Sequence, residues 1–188
     1  MDRRSEVPGG GQARLINIIR QLLAIAALPF VVAVLVPLWL ARRDAVRFAI
    51  ARSAPHVAGQ LLGVALLLAG LTLFASSLQR FIVDGRGTLA PWDPPRRLVV
   101  RGPYRYVRNP MISGIVFVLF GEALVLGSVA HLWWATIFLA VNALYIPLLE
   151  EPMLAARFPE SYAEYRRNVP RLFPRLRPWD ASGGDAAA

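Results

Sequence analysis

Cysteine is absent from the 188-residue chain, and so is lysine, which leaves arginine as the source of all 21 positive side chains. Without a thiol there is no disulfide, no thiolate nucleophile and no thiolate metal site. Histidine is nearly missing as well: His56 and His131 are the two present, and acidic residues number 12. A metal site would have to rest on carboxylates, and none is expected. No cleavable leader is expected either, because the first apolar stretch is too long and runs into arginines instead of a small-residue cleavage site; it should be retained as an anchor. What the chain has in excess is apolar surface, 56% hydrophobic residues and a mean hydropathy of +0.46. That exceeds what an ordinary soluble domain carries, so the bilayer is its expected solvent.

The net charge of +9 could suggest nucleic acid, but the arginines lie in the connections between apolar stretches and not along one soluble face. Their exclusive use, beside abundant Ala, Gly and Pro, reads as base composition of the gene more than as selection for anion-binding forks. Four stretches can cross a hydrocarbon core: residues 15–40, 57–78, 112–129 and 132–149. Their continuous apolar character excludes the alternating strands of a membrane barrel. The expected fold is all-α and polytopic, with about four transmembrane helices. Its parts are an N-terminal tail (1–14), two N-terminal spans (15–79), a unit of loop, hairpin and amphipathic segment (80–179), and a disordered tail (180–188).

Within the spans, Pro29 and Pro37 should kink the first. Gly59, Gly63 and Gly70 in the second should allow close approach of another helix. The last two spans are separated only by Ala130 and His131 and must form a tight hairpin; His131 should be inert at its turn. Arginine counts put both termini and the long connection on the cytoplasmic side, as in a bacterial inner-membrane protein. The first connection, with Arg42, Arg43, Arg47 and Arg52, is an exception attributed to an interfacial helix around Arg43, Arg47 and Phe48. Glu122, ionisable within the third span, should be paired or functional; Asn142 on the facing helix is its expected partner, and contact with a membrane-borne acceptor is the alternative.

Hairpin geometry joins two polar clusters. One, residues 101–114, reads R-G-P-Y-R-Y-V-R-N-P-M-I-S-G and enters the third span; the other, residues 148–154, reads L-L-E-E-P-M-L and leaves the fourth. Tyr104, Arg105, Tyr106, Arg108 and Asn109 should therefore face Glu150 and Glu151. Two carboxylates at a helix C-terminus oppose the macrodipole and call for a compensating cation.

These clusters resemble the paired signatures of the isoprenylcysteine carboxyl methyltransferase and phospholipid methyltransferase superfamily of membrane enzymes. The first signature, Arg-His-Pro-x-Tyr-x-Gly, is matched by Arg108, Asn109, Pro110, Met111, Ile112, Ser113 and Gly114; the Glu-Glu pair is matched by Glu150 and Glu151. The segment F-P-E-S-Y-A-E-Y-R-R-N-V-P-R, residues 158–171, is similar to the superfamily's C-terminal part, and G-T-L-A-P-W-D-P-P, residues 87–95, to a bacterial branch. Asn109 stands where histidine is usual and cannot titrate near neutrality. Ile112 replaces a tyrosine and loses its hydroxyl.

The resemblance implies S-adenosylmethionine as cofactor and a lipophilic methyl acceptor, a carboxylate, amine or thiol, entering from the bilayer. Cofactor contacts are then expected from Tyr104, Arg105, Tyr106, Arg108, Asn109, Pro110, Met111, Gly114, Glu150 and Glu151. Arg108, Glu150 and Glu151 fall nearest the chemistry. Glu150 or Glu151 would pair the cofactor's positive groups, and Arg108 or Arg105 its carboxylate. Tyr162, Tyr165 and Glu122 are candidate acceptor contacts. A membrane reductase using NADPH and a non-catalytic membrane helper of the same fold are the competing readings.

Overall fold

The computed structural model describes residues 27–46, 53–84, 98 and 100–180. The expected N-terminal tail, the interfacial segment at Arg47 and Phe48, the 87–95 stretch and most of the C-terminal tail lie outside the described residues.

Every regular element among the described residues is helical, and the protein is an all-α membrane protein. Helix α1 (Val36–Arg43) follows a π turn, Val31–Leu35. Helix α2 (Ala54–Asp84) is the longest; α3 (Pro110–Leu126) and α4 (Val129–Tyr145) form the hairpin. A second π turn, Ile146–Glu150, continues α4 into α5 (Glu151–Arg157), and α6 (Pro159–Asn168) completes the order. Two helical stretches are long and apolar enough to cross a membrane, Ala54–Arg80 and Val129–Arg157, with Pro110–Leu126 as a shorter apolar helix. Large apolar side chains such as Leu61, Leu68, Trp133 and Leu144 stand more than half exposed along α2 and α4. In water such a surface would be an aggregation site; in a bilayer it is the lipid-facing wall.

The closest packing joins α2 to α3 in antiparallel register. Gly63 meets Gly121 and Gly70 meets Gly114, so that a Cβ on Gly70 would lie 2.6 Å from the Gly114 carbonyl oxygen and one on Gly121 2.8 Å from that of Gly63. Small residues are needed because the backbones themselves touch. Gly59, grouped with these in the sequence, faces nothing within 4 Å and has no packing role.

The hairpin turns earlier than expected. Gly127 takes the left-handed conformation (φ 58°) as the C-cap of α3, and Ser128 caps α4 by accepting from the His131 amide. His131 is accordingly a buried structural residue: one ring nitrogen meets Ser128 Oγ at 2.8 Å, and Nε2 donates to the Pro37 carbonyl at 3.1 Å. Both π turns end two residues before a proline, Pro37 and Pro152. In the wider register the Val32 carbonyl would look to the amide of residue 37, which proline lacks, and Trp134 Nε1 donates to it at 2.9 Å instead. The kink expected near Pro37 thus takes the form of a π turn clasped to α4.

Candidate functional site

At the end of the hairpin opposite Gly127, two prolines set the local backbone. Asn109 precedes Pro110 and Phe158 precedes Pro159, and both preceding residues are driven out of the helical region (φ −118°, ψ 63° and φ −130°, ψ 64°). The chain therefore bends sharply as it enters α3 and again between α5 and α6. Upstream, Gly102 (φ 56°) opens a 3-10 turn, Gly102–Arg105, beside the Arg80 side chain of α2.

The segment after α6 folds back over this turn. Arg108 and Asn109 amides donate to the carbonyls of Pro170 and Arg171, at 2.8 and 3.2 Å. Ser113 Oγ donates to the Leu172 carbonyl at 2.6 Å, while the amides of Arg175 and Trp179 reach the carbonyls of Tyr106 and Arg105. Beneath the strap, Tyr162, Tyr165 and Val169 form a buried cluster with Leu98, Val100, Leu154 and Trp179.

Glu151 is the hub. Arg171 grips it with two bonds, Nε to Oε1 at 2.5 Å and Nη2 to Oε2 at 3.1 Å; Arg108 Nη1 lies 3.1 Å from Oε1 and Arg166 Nε 3.6 Å from Oε2. Its side chain is 4% exposed, that of Arg108 8% and that of Arg166 57%. The hydrogen bond to Glu151 holds the Arg171 guanidinium above its ordinary value. The compensating cation expected at the acidic pair is thus supplied by the protein, and the helix does not end there, since α5 begins at Glu151. Arg171 and Arg166 were not among the expected site residues. Their signal was present all the same: a carboxylate at the mouth of a membrane helix, followed within twenty residues by arginines.

Glu150, one residue earlier and half-buried, makes no hydrogen bond or ion pair among the described residues; its electrostatic neighbours include Arg108 and Tyr104. Arg108 also donates to the Tyr162 hydroxyl at 3.1 Å, yet its buried Nε has no partner. One open carboxylate and one open guanidinium N–H therefore remain in the cluster.

The other expected residues divide by what already holds them. Tyr104 is half-buried, and burial first, then the charge of Glu150, pushes its hydroxyl up. The Tyr165 hydroxyl, pushed up mainly by burial, donates to the Tyr104 carbonyl at 2.7 Å. Tyr162 and Tyr165 are 2% exposed and act as packed supports of the loop. Arg105 is engaged by the Trp179 carbonyl and the Asp180 carboxylate. Tyr106 and Met111 are half-buried, and Asn109 Nδ2 reaches the Arg171 carbonyl at 3.4 Å. Pro110 is buried as the first residue of α3, and Gly114 is spent on the contact with α2.

Glu122 sits about 18 Å along α3 from Pro110, at 1.5 Å per residue. One of its carboxylate oxygens is buried without a partner. The expected bond to Asn142 is not formed; the Asn142 amide donates to Phe138 of its own helix at 2.8 Å, a local bond that asks nothing of the facing helix. An open groove of about 380 Å³ runs beside α5 and α6, lined by Ala155, Pro159, Tyr162, Ala163, Arg166 and Arg167.

Comparison with curated proteins and with solved structures gives no significant match. The family model described as phospholipid methyltransferase matches residues 58–161, from early α2 into α6 and including Arg108, Glu150 and Glu151. With more than half of its length so matched, the chain belongs to the phospholipid methyltransferase family and is a membrane methyltransferase.

Proposed function

We propose that the enzyme uses S-adenosylmethionine to methylate a lipophilic or membrane-borne acceptor at the end of the hairpin where Arg108 meets the acidic pair. The observation that carries this reading is the unequal state of that cluster. Glu151 is neutralised by three arginines, whereas Glu150 and Arg108 Nε are left open. An open carboxylate beside an open guanidinium N–H suits an amino acid moiety that bears both charges, with Glu150 toward the ammonium and Arg108 toward the carboxylate. Bound S-adenosylmethionine would supply an activated, positively charged methyl group.

The work left to the chain is alignment and exclusion of water, because methyl transfer is an in-line displacement needing no covalent enzyme intermediate. A cysteine-free sequence is compatible with such chemistry. Tyr104, kept protonated by burial and by Glu150, offers an aromatic wall and a donor near the open carboxylate. The apolar side chains that α2 and α4 present outward support an acceptor dissolved in the bilayer, which would reach the site laterally.

Calorimetric titration of the detergent-purified protein with S-adenosylmethionine and with NADPH, in separate runs, tests the assignment. Binding of the first alone is expected, followed by transfer of labelled methyl groups to a component of a lipid extract. Binding of NADPH alone would make the protein a reductase and end this reading.

A further inference from the structure

After Met153, the exposed large apolar side chains among the described residues are Phe173, 62% exposed, and Leu176, 99% exposed. Both lie in the strap, outside every helix. We propose that residues 172–179 form an arm that docks on the anionic headgroup layer of the bilayer, with Phe173 and Leu176 in the acyl boundary and Arg175 and Arg177 on lipid phosphates.

Three observations converge on that occupant. The first is depth. Ser113, in the opening turn of α3, holds the Leu172 carbonyl at 2.6 Å, which pins the start of the arm at the level where an apolar helix begins, and Phe173 is the next residue outward. The second is charge. Residues 166–177 contain Arg166, Arg167, Arg171, Arg175 and Arg177 and no acid. Of the nearby carboxylates, Glu151 takes Arg166 and Arg171, Asp180 takes Arg105, Glu160 and Glu164 stand on α6, and Glu150 makes no ion pair with Arg175 or Arg177. Arg175 and Arg177 are exposed, and one Arg175 nitrogen is fixed on the Asn168 carbonyl at 2.7 Å. Arginines flanking exposed apolar residues match a negatively charged lipid surface, which attracts basic segments close to it. The third is stiffness. Pro170, Pro174 and Pro178 recur every fourth residue, exclude a helix and leave an irregular arm, bent at residues 171–173 and 176–177 and already tied to Tyr106 and Arg105, so little order has to be gained on docking.

The absence of cysteine makes the test direct. A nitroxide is attached to Leu176→Cys, with Val141→Cys on the lipid-facing side of α4 and Glu164→Cys on α6 as references, each in vesicles of phosphatidylcholine with and without phosphatidylglycerol. With the anionic lipid, collisions of the Leu176→Cys label with a water-soluble nickel complex should fall several-fold below those at Glu164→Cys, while oxygen collisions rise toward the Val141→Cys level. Without it, the shielding should weaken. Nickel access equal to that at Glu164→Cys would overturn the proposal, and so would equal shielding in both lipids. Shielding from oxygen and nickel together, with spin-spin broadening, would mean that a second copy covers the arm and would overturn it as well. None of these readouts depends on methyl transfer, and a site this exposed carries a label without disturbing packing.

Discussion

Glu150 and Glu151 are chain neighbours in opposite circumstances. Removing the charge of Glu151 strands buried Arg108 and releases Arg171 from a two-point grip. Glu151→Gln should therefore lower stability by about 3 kcal/mol, as expected when one member of a buried ion pair is lost; thermal unfolding in detergent measures it. Arg166→Ala, on the exposed rim of the same cluster, should stay within about 0.5 kcal/mol. Glu150→Gln should leave the unfolding temperature near wild type and weaken S-adenosylmethionine binding by about tenfold or more, the scale of a lost charge-assisted bond. Equal affinity losses in Glu150→Gln and Glu151→Gln, both at unchanged stability, would count against assigning them different tasks. The pairing of Arg108 with the acidic residues was readable in advance because a hairpin must bring its two ends together. The division of labour within Glu150-Glu151 was not, since it depends on which way the Ile146–Glu150 π turn rotates each carboxylate.

At the scale of elements, the α2–α3 contact is the most demanding feature. A methyl group on Gly70 would meet backbone on both sides, at 2.6 and 2.8 Å, and a helix backbone has nowhere to move. Gly70→Ala should cost about 1–3 kcal/mol of stability, whereas Gly59→Ala should be neutral or slightly stabilising. The glycines were visible as a close-approach stripe, but spacing alone does not say which of them face a neighbour. Gly63 and Gly70 are seven residues apart, matching Gly114 and Gly121, and that shared interval is the better guide than the four-residue spacing of Gly59 and Gly63. Helix bounds shifted by a few residues for a related reason: hydropathy marks the apolar interior, while the ends are set by Ser128, Gly127, Pro110 and Pro159, which polar chemistry and backbone geometry select.

For the molecule as a whole, α2 is longer than a membrane crossing requires. Its 31 residues extend about 46 Å at 1.5 Å per residue, against about 30 Å of hydrocarbon. The surplus carries Arg80 up to Gly102, where it supports the turn bearing Tyr104 and Arg105. With single cysteines as the only thiols, an impermeant maleimide should label Val129→Cys, at the hairpin turn, and Glu164→Cys, on α6, from opposite sides of sealed vesicles. Labelling of both from one side would mean that the α3–α4 hairpin does not cross. The partners of Glu151 come from three separate parts of the chain, Arg108 before the hairpin and Arg166 and Arg171 after it. During translation, a nascent polypeptide whose membrane helices have already been inserted carries Arg108 but still lacks Arg166 and Arg171, two of the three residues that neutralise that carboxylate. The charge balance of the site is thus completed only after the segment beyond the hairpin has been made and has folded back.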